Sequence, residues 1–240
     1  MQNHQVVSQQ TSQLLSLLQL ASPALPIGAF SYSEGVETLV HWGYLTTADA
    51  LTDWLTTELR YGTVQIDGAV LGRVHQAIAR HDLTTVQRWN CWLSALRETE
   101  ELRLQQWQMG RALLRLVQEV NLSSDPSTQL AINQLVTCCG AECNAAVAFG
   151  IAAYAWRIDI EPTLLGYLHS WAANLVSAGV RLIPLGQTAG QQILLDLQPA
   201  IAAACDRCLT LADDDLYSCS WGLSLASMNH EVQYSRLFRS

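Results

Sequence analysis

Apolar residues recur three or four apart along most of the chain, the spacing of one face of an α-helix. No stretch alternates as a half-buried strand does. Leu14, Leu15, Leu17 and Leu18 open a first amphipathic helix. It should end near Ala21, because Ser22-Pro23-Ala24-Leu25-Pro26-Ile27-Gly28 carries two prolines and a glycine. Ser31 and Glu34 stand three apart as a capping box, which predicts a helix through Val36, Leu39 and Val40 to Gly43. Thr46 or Thr47 caps the next, with Leu51, Trp54, Leu55 and Leu59 on its inner face. Further helices are expected over about 64–80 and after Asp82, and the longest uninterrupted one over 95–120. Residues 121–126 read as the clearest loop, with Pro126 opening the following helix. The pattern continues over about 127–137, 142–157, 163–183, 188–197 and 199–211, and Asp213-Asp214-Asp215 closes the run. From Ser218 on the chain is short of periodicity and polar. The reading is all-α, one domain over 1–240, a bundle of about ten helices. Residues 1–12 and 218–240 are expected to be tails ordered by partners.

Composition sharpens this picture. Half of the residues are hydrophobic and only 14% are charged, well under the usual ~25%. Little solvated surface is available, so some apolar surface should lie against a partner. The net charge of -8 argues against nucleic acid, which demands a basic face. All 13 basic residues are arginine, whose planar fork suits bidentate pairing at interfaces. No apolar run approaches the ~18 residues of a membrane span. The run 145–156 reads instead as a buried helix of small residues. Seven cysteines at helical spacings, with no signal peptide before them, predict a reduced cytoplasmic protein rather than a disulfide framework.

Sharper chemistry meets a simpler account at most positions. Cys138, Cys139 and Cys143 and the pair Cys205 and Cys208, with Cys219 and His230, could form a zinc site. A pair of CxxC knuckles is missing, however, and free cysteine packs as a small hydrophobe. Arg97 and Glu101 stand four apart on a charged helix face, which a solvated ion pair explains. Trp54, Trp89, Trp92, Trp107 and Trp171 fall on apolar stripes and read as core. Gly186 and Gly190 fail as a phosphate loop, because Gln191 follows where a lysine is needed and the chain has no lysine. Pro184 ends the long helix before them and leaves a polar joint in an apolar region.

Three segments escape these accounts: LASPALPIGAFSYSEGVE, NLVSAGVRLIPLGQTAGQ and the terminal HEVQYSRLFRS. Together they resemble the urease accessory protein family UreF, and ETEELRLQQWQMGRALLRL is similar to the family's middle helix. The resemblance covers nearly the whole chain. It implies an all-α homodimer with no catalytic residue, metal or cofactor of its own. Such a protein binds UreD (also called UreH) and then the nickel-carrying GTPase UreG. The assembly acts on the urease apoprotein, where GTP hydrolysis accompanies nickel insertion. Partner-binding residues implied by the motifs are Phe30, Tyr32, Glu34 and Glu37, then Arg181, Gln187, Gly190 and Gln191. In the tail they are His230, Gln233, Tyr234, Arg236, Leu237, Phe238 and Arg239. Motif position places the family's interface arginines on Arg181, Arg236 and Arg239. Phe30 stands where many members carry tyrosine, which bears against any role for that hydroxyl here.

Two expectations are specific. Leu237 and Phe238 between two arginines read as an exposed apolar pair that docks onto UreD. Arg181 and Gln187, brought together at the joint, should support the assembly that engages the GTPase. Arg181 could instead bond the last carbonyls of its own helix. Two alternative functions stay open on sequence: a thiol- or zinc-dependent enzyme using Cys205, Cys208 and Cys219, and a helical carrier holding a small apolar ligand among the tryptophans.

Overall fold

The computed structural model describes the backbone of residues 2–120 and 126–240 and the side chains of residues 10–120 and 128–240. Twelve α-helices and three short 3-10 turns account for its regular structure, and no strand occurs among the described residues. The expected loop at 121–125 lies outside the described residues.

The centre is α8 (Ala145–Ala155), apolar all round, with every residue but Tyr154 buried. A helix with no polar face has to be surrounded. It packs between α4 (Thr63–Ala79) and α6 (Glu100–Glu119), while α9 (Ile160–Leu182) runs alongside. The approach of α6 is close: a Cβ on Gly110 would sit 2.0 Å from the carbonyl oxygen of Cys143. Only glycine fits there. Outside this centre, α11 (Gln198–Thr210) lies on α4 and α9, and α10 (Gln187–Asp196) folds back beside α9. α3 (Ala48–Tyr61) and α5 (Leu83–Leu96) flank α4, and α7 (Pro126–Cys139) packs on α5. α1 (Gln2–Leu20) rests on α9 and α8, so the expected N-terminal tail is helical from Gln2. Thr47 and Asp82 cap α3 and α5 by accepting from Ala50 N and Thr85 N.

Three sequence expectations need correction. The long helix over 95–120 is two helices. The chain turns extended at Arg97 and restarts at α6, whose cap Thr99 accepts from Leu102 N at 3.2 Å. The cause is tertiary: Arg97 reaches back to a buried carboxylate on α4. The Ser31–Glu34 capping box does not form. Ser31 closes a 3-10 turn (Ala29–Ser31), and α2 (Val36–His41) starts after Gly35, whose φ is +83°. The Glu34 carboxylate is engaged elsewhere, accepting from side chains of α6 and α9. The segment after Ser218 holds a twelfth helix, α12 (Trp221–His230), packed on α2.

Candidate functional site

The three singled-out segments meet at one corner of the bundle. α2 presents Glu37, 7% exposed, whose two carboxylate oxygens accept from Leu237 N at 2.7 Å and Phe238 N at 2.9 Å. Ser33 donates twice to the Ser240 carbonyl, from N at 2.8 Å and from Oγ at 2.6 Å. Arg239 N donates to Ser31 O at 2.9 Å. The tail thus runs along the loop that the prolines keep out of helix. His230, fully buried, stands between two carboxylates: Nδ1 is 2.7 Å from Glu101 Oε2 and Nε2 is 3.4 Å from Glu37 Oε2. Arg236 also pairs with Glu101, which ties α6 to the tail. Gln233 accepts from Thr38 Oγ1 at 3.3 Å and donates to Ser235 O.

Arg181 joins this corner from the end of α9. Its Nη2 donates to Phe30 O at 2.9 Å and its Nε to Ser177 O at 3.3 Å. The guanidinium lies 4.4 Å over the Phe238 ring, a cation–π distance. Arg181 therefore bonds its own helix end, one of the two sequence readings, and also reaches Phe30 and Phe238 within the chain. Its hydrogen bonds do not go to Gln187. Gln187 and Gln191 are exposed in the first turns of α10, while Gly190 is buried, with space for a Cβ closed to 2.8 Å by Val180. Tyr32 is buried and donates to Gln108 Oε1 at 2.6 Å.

The expected exposed pair is split. Phe238 is 4% exposed and Leu237 65%. Phe238 anchors the tail on its own domain, whereas Leu237, Tyr234 and Phe30 face outward. Sequence reading also missed the outer face of α12, where Trp221, Leu225 and Met228 are exposed, with exposed Val232 just beyond the helix. Their four–three–four spacing is a helical stripe. The signal was present, but intervening Gly222, Ser224 and Ser227 thin it out.

A second polar cluster lies deeper. Arg97 and Asp67 pair at 2.5 Å with both side chains almost wholly buried, and Tyr167 Oη donates to the other Asp67 oxygen at 3.3 Å. Glu58, 6% exposed, accepts from Ser220 Oγ at 2.8 Å just ahead of α12. Burial pushes its carboxyl up to about 7, with nearby Glu34 and Glu98 adding to the rise. Between the ordinary 4.5 and about 7 the unfolded chain has lost this proton while the folded chain keeps it. Stability should therefore fall as pH rises through that window, then level off, a loss on the order of 3 kcal/mol. Thermal unfolding against pH checks this. Glu58→Gln should flatten that part of the profile, and an unchanged profile refutes a neutral Glu58.

The Cys138 and Cys139 sulfurs stand 3.9 Å apart at the end of α7. Cys205 and Cys208 face Glu161 O and Gln65 O from α11, and burial pushes their thiols up to about 11 and about 12. Thiols held protonated are poor metal ligands. Cys219 is exposed, and among the described residues no group of three His, Cys, Asp or Glu could hold a metal ion. No described helix is long and apolar enough to cross a membrane.

Comparison with known proteins bears directly on this corner. The family model for UreF matches residues 45–198. A urease accessory protein UreF of Nostoc sp. is 54% identical over 226 residues, covering 94% of this chain and 95% of the relative. The chain belongs to the UreF family. A Microcystis aeruginosa relative of the same description is 52% identical, over 95% of this chain and 98% of its own length. One from Chromohalobacter salexigens is 39% identical over 95% and 94%. The matched stretch 45–198 holds the Arg181–Gln191 joint but neither the Phe30–Glu37 loop nor the tail.

Proposed function

We propose that this chain is a non-enzymatic chaperone of urease maturation. It acts as a homodimeric scaffold that binds UreD (UreH), recruits the GTPase UreG, and supports GTP-dependent nickel insertion into the urease apoprotein. Nickel is cargo in this scheme, not a resident cofactor. Family membership supports the maturation role. The observation that carries the scaffold reading is the exposed apolar stripe Trp221, Leu225, Met228 and Val232 at helical spacing, followed along the chain by exposed Tyr234 and Leu237. Contiguous exposed apolar surface marks interaction sites. The stripe and the tail are locked to α2 and α6 through Glu37, His230 and Glu101, so the docking face is presented in a fixed shape. Arg181 contributes by holding Phe30 and Phe238 in place.

The test is co-purification of full-length protein with UreD. A Trp221→Ser, Leu225→Ser, Met228→Ser variant changes only exposed positions, so its helical circular dichroism should match that of the parent protein. It should lose UreD and fail to activate urease. Retention of UreD by this well-folded variant would remove the stripe as the docking face.

A further inference from the structure

A cavity of about 130 Å³ lies beneath the loop that carries Pro23 and Phe30. Its wall is largely apolar, built from Leu25, Ile27, Met109, Leu113, Phe149 and Trp171. An engineered apolar cavity of about 150 Å³ holds benzene, so this one takes a ring-sized molecule. Phe30 and Pro23 are exposed and stand at its rim.

One end of the cavity is polar and rich in acceptors. Glu34, Gln106 and Trp171 line both this cavity and an adjoining void of about 20 Å³. Glu34 accepts one hydrogen bond on each oxygen, from Gln105 Nε2 at 2.7 Å and from Trp171 Nε1 at 2.8 Å. Each carboxylate oxygen can accept another. Gln106 is 6% exposed, and its Oε1 has no partner. A buried acceptor without a donor is an exception that calls for an occupant. Arg97, the one arginine lining the smaller void, is paired with Asp67 through Nη2, and its buried Nε has no partner. The end of the cavity therefore offers carboxyl and amide acceptors beside an apolar chamber; burial pushes the Glu34 carboxyl up, and a cation next to it would favour the charged form.

We propose that this cavity binds a small organic cation with an apolar body: an ammonium on an aromatic or alkyl group of about eight heavy atoms. Its N–H donors meet Glu34 and Gln106 Oε1, and its apolar part fills the space between Leu25, Met109 and Phe149. A neutral molecule of the same shape lacks the charge that Glu34 answers. The proposal does not depend on the docking reading.

Benzylamine, benzyl alcohol and toluene, titrated calorimetrically into the full-length protein, test this. Benzylamine should bind and raise the melting temperature, with benzyl alcohol about tenfold weaker, the scale of a charge-assisted hydrogen bond. Glu34→Gln should weaken benzylamine about tenfold and leave toluene unchanged. Ala173→Leu, which fills the cavity from its partly exposed wall, should abolish binding of all three. Should Glu34→Gln lose its helical spectrum, Gln106→Leu replaces it, with the same selective loss expected. No binding of benzylamine, equal affinity for amine and alcohol, or an amine preference that survives these substitutions overturns the proposal.

Discussion

Asp67→Ala should lower the melting temperature by about 10 °C, the largest effect expected of any single substitution in this molecule. The Arg97 guanidinium is buried, and Asp67 is its counter-charge at 2.5 Å. Removing the carboxylate leaves the buried guanidinium without its hydrogen-bonded counter-charge, which costs about 3–5 kcal/mol. Tyr167 loses its acceptor at the same time. The damage should centre on the break between α5 and α6, because Arg97 is the residue that holds it open. Replacing both partners separates the charge effect from packing. Asp67→Leu with Arg97→Met should come back close to the parent protein, since buried pairs exchanged for apolar residues of similar size are often neutral. Chemical denaturation of the three proteins checks this. A mild single substitution, or a double as poor as the single, would show that the pair does not hold the break.

Glu37→Ala should free the tail without unfolding the bundle. One carboxylate accepts from two backbone N–H groups, Leu237 and Phe238, and faces His230. Its loss strands two donors and an imidazole whose other nitrogen faces Glu101. Amide hydrogen exchange at Leu237 and Phe238 should accelerate about a hundredfold, the scale of roughly 3 kcal/mol of local stability. The amides of α4 and α8 should keep their protection. Glu37→Gln retains an acceptor and should lie between the two. Under the scaffold reading, Glu37→Ala also loses UreD, because a free tail cannot present Leu237 in fixed position. Unchanged protection at Leu237 would sink the latch.

The sequence by itself determined the all-α class, and did so where local physics is decisive. The Ala145–Ala155 helix has no polar face, so it could only be central. Thr47 and Asp82 cap their helices through bonds three residues away, a short-range geometry visible in the residue order. Pro184 and the Ser22–Gly28 prolines stop helices wherever they fall. The three motif segments were also legible as anomalies, since their polar and glycine residues interrupt apolar runs without a local reason.

What only the tertiary structure decided involves residues far apart in the chain. Arg97 breaks a periodic helix because its partner lies thirty positions earlier, and no window of local sequence contains both. Glu34 gives up a capping box for Gln105 and Trp171, which lie on two other helices. Leu237 and Phe238 are equal in sequence, yet Arg181 and the Glu37 corner bury one and leave the other in solvent. The α12 stripe became recognisable as a surface only once α2 was seen to occupy the opposite face. Periodicity reports which face of a helix is apolar; whether that face meets the core or the outside depends on what else packs there, and that is fixed by the whole chain at once.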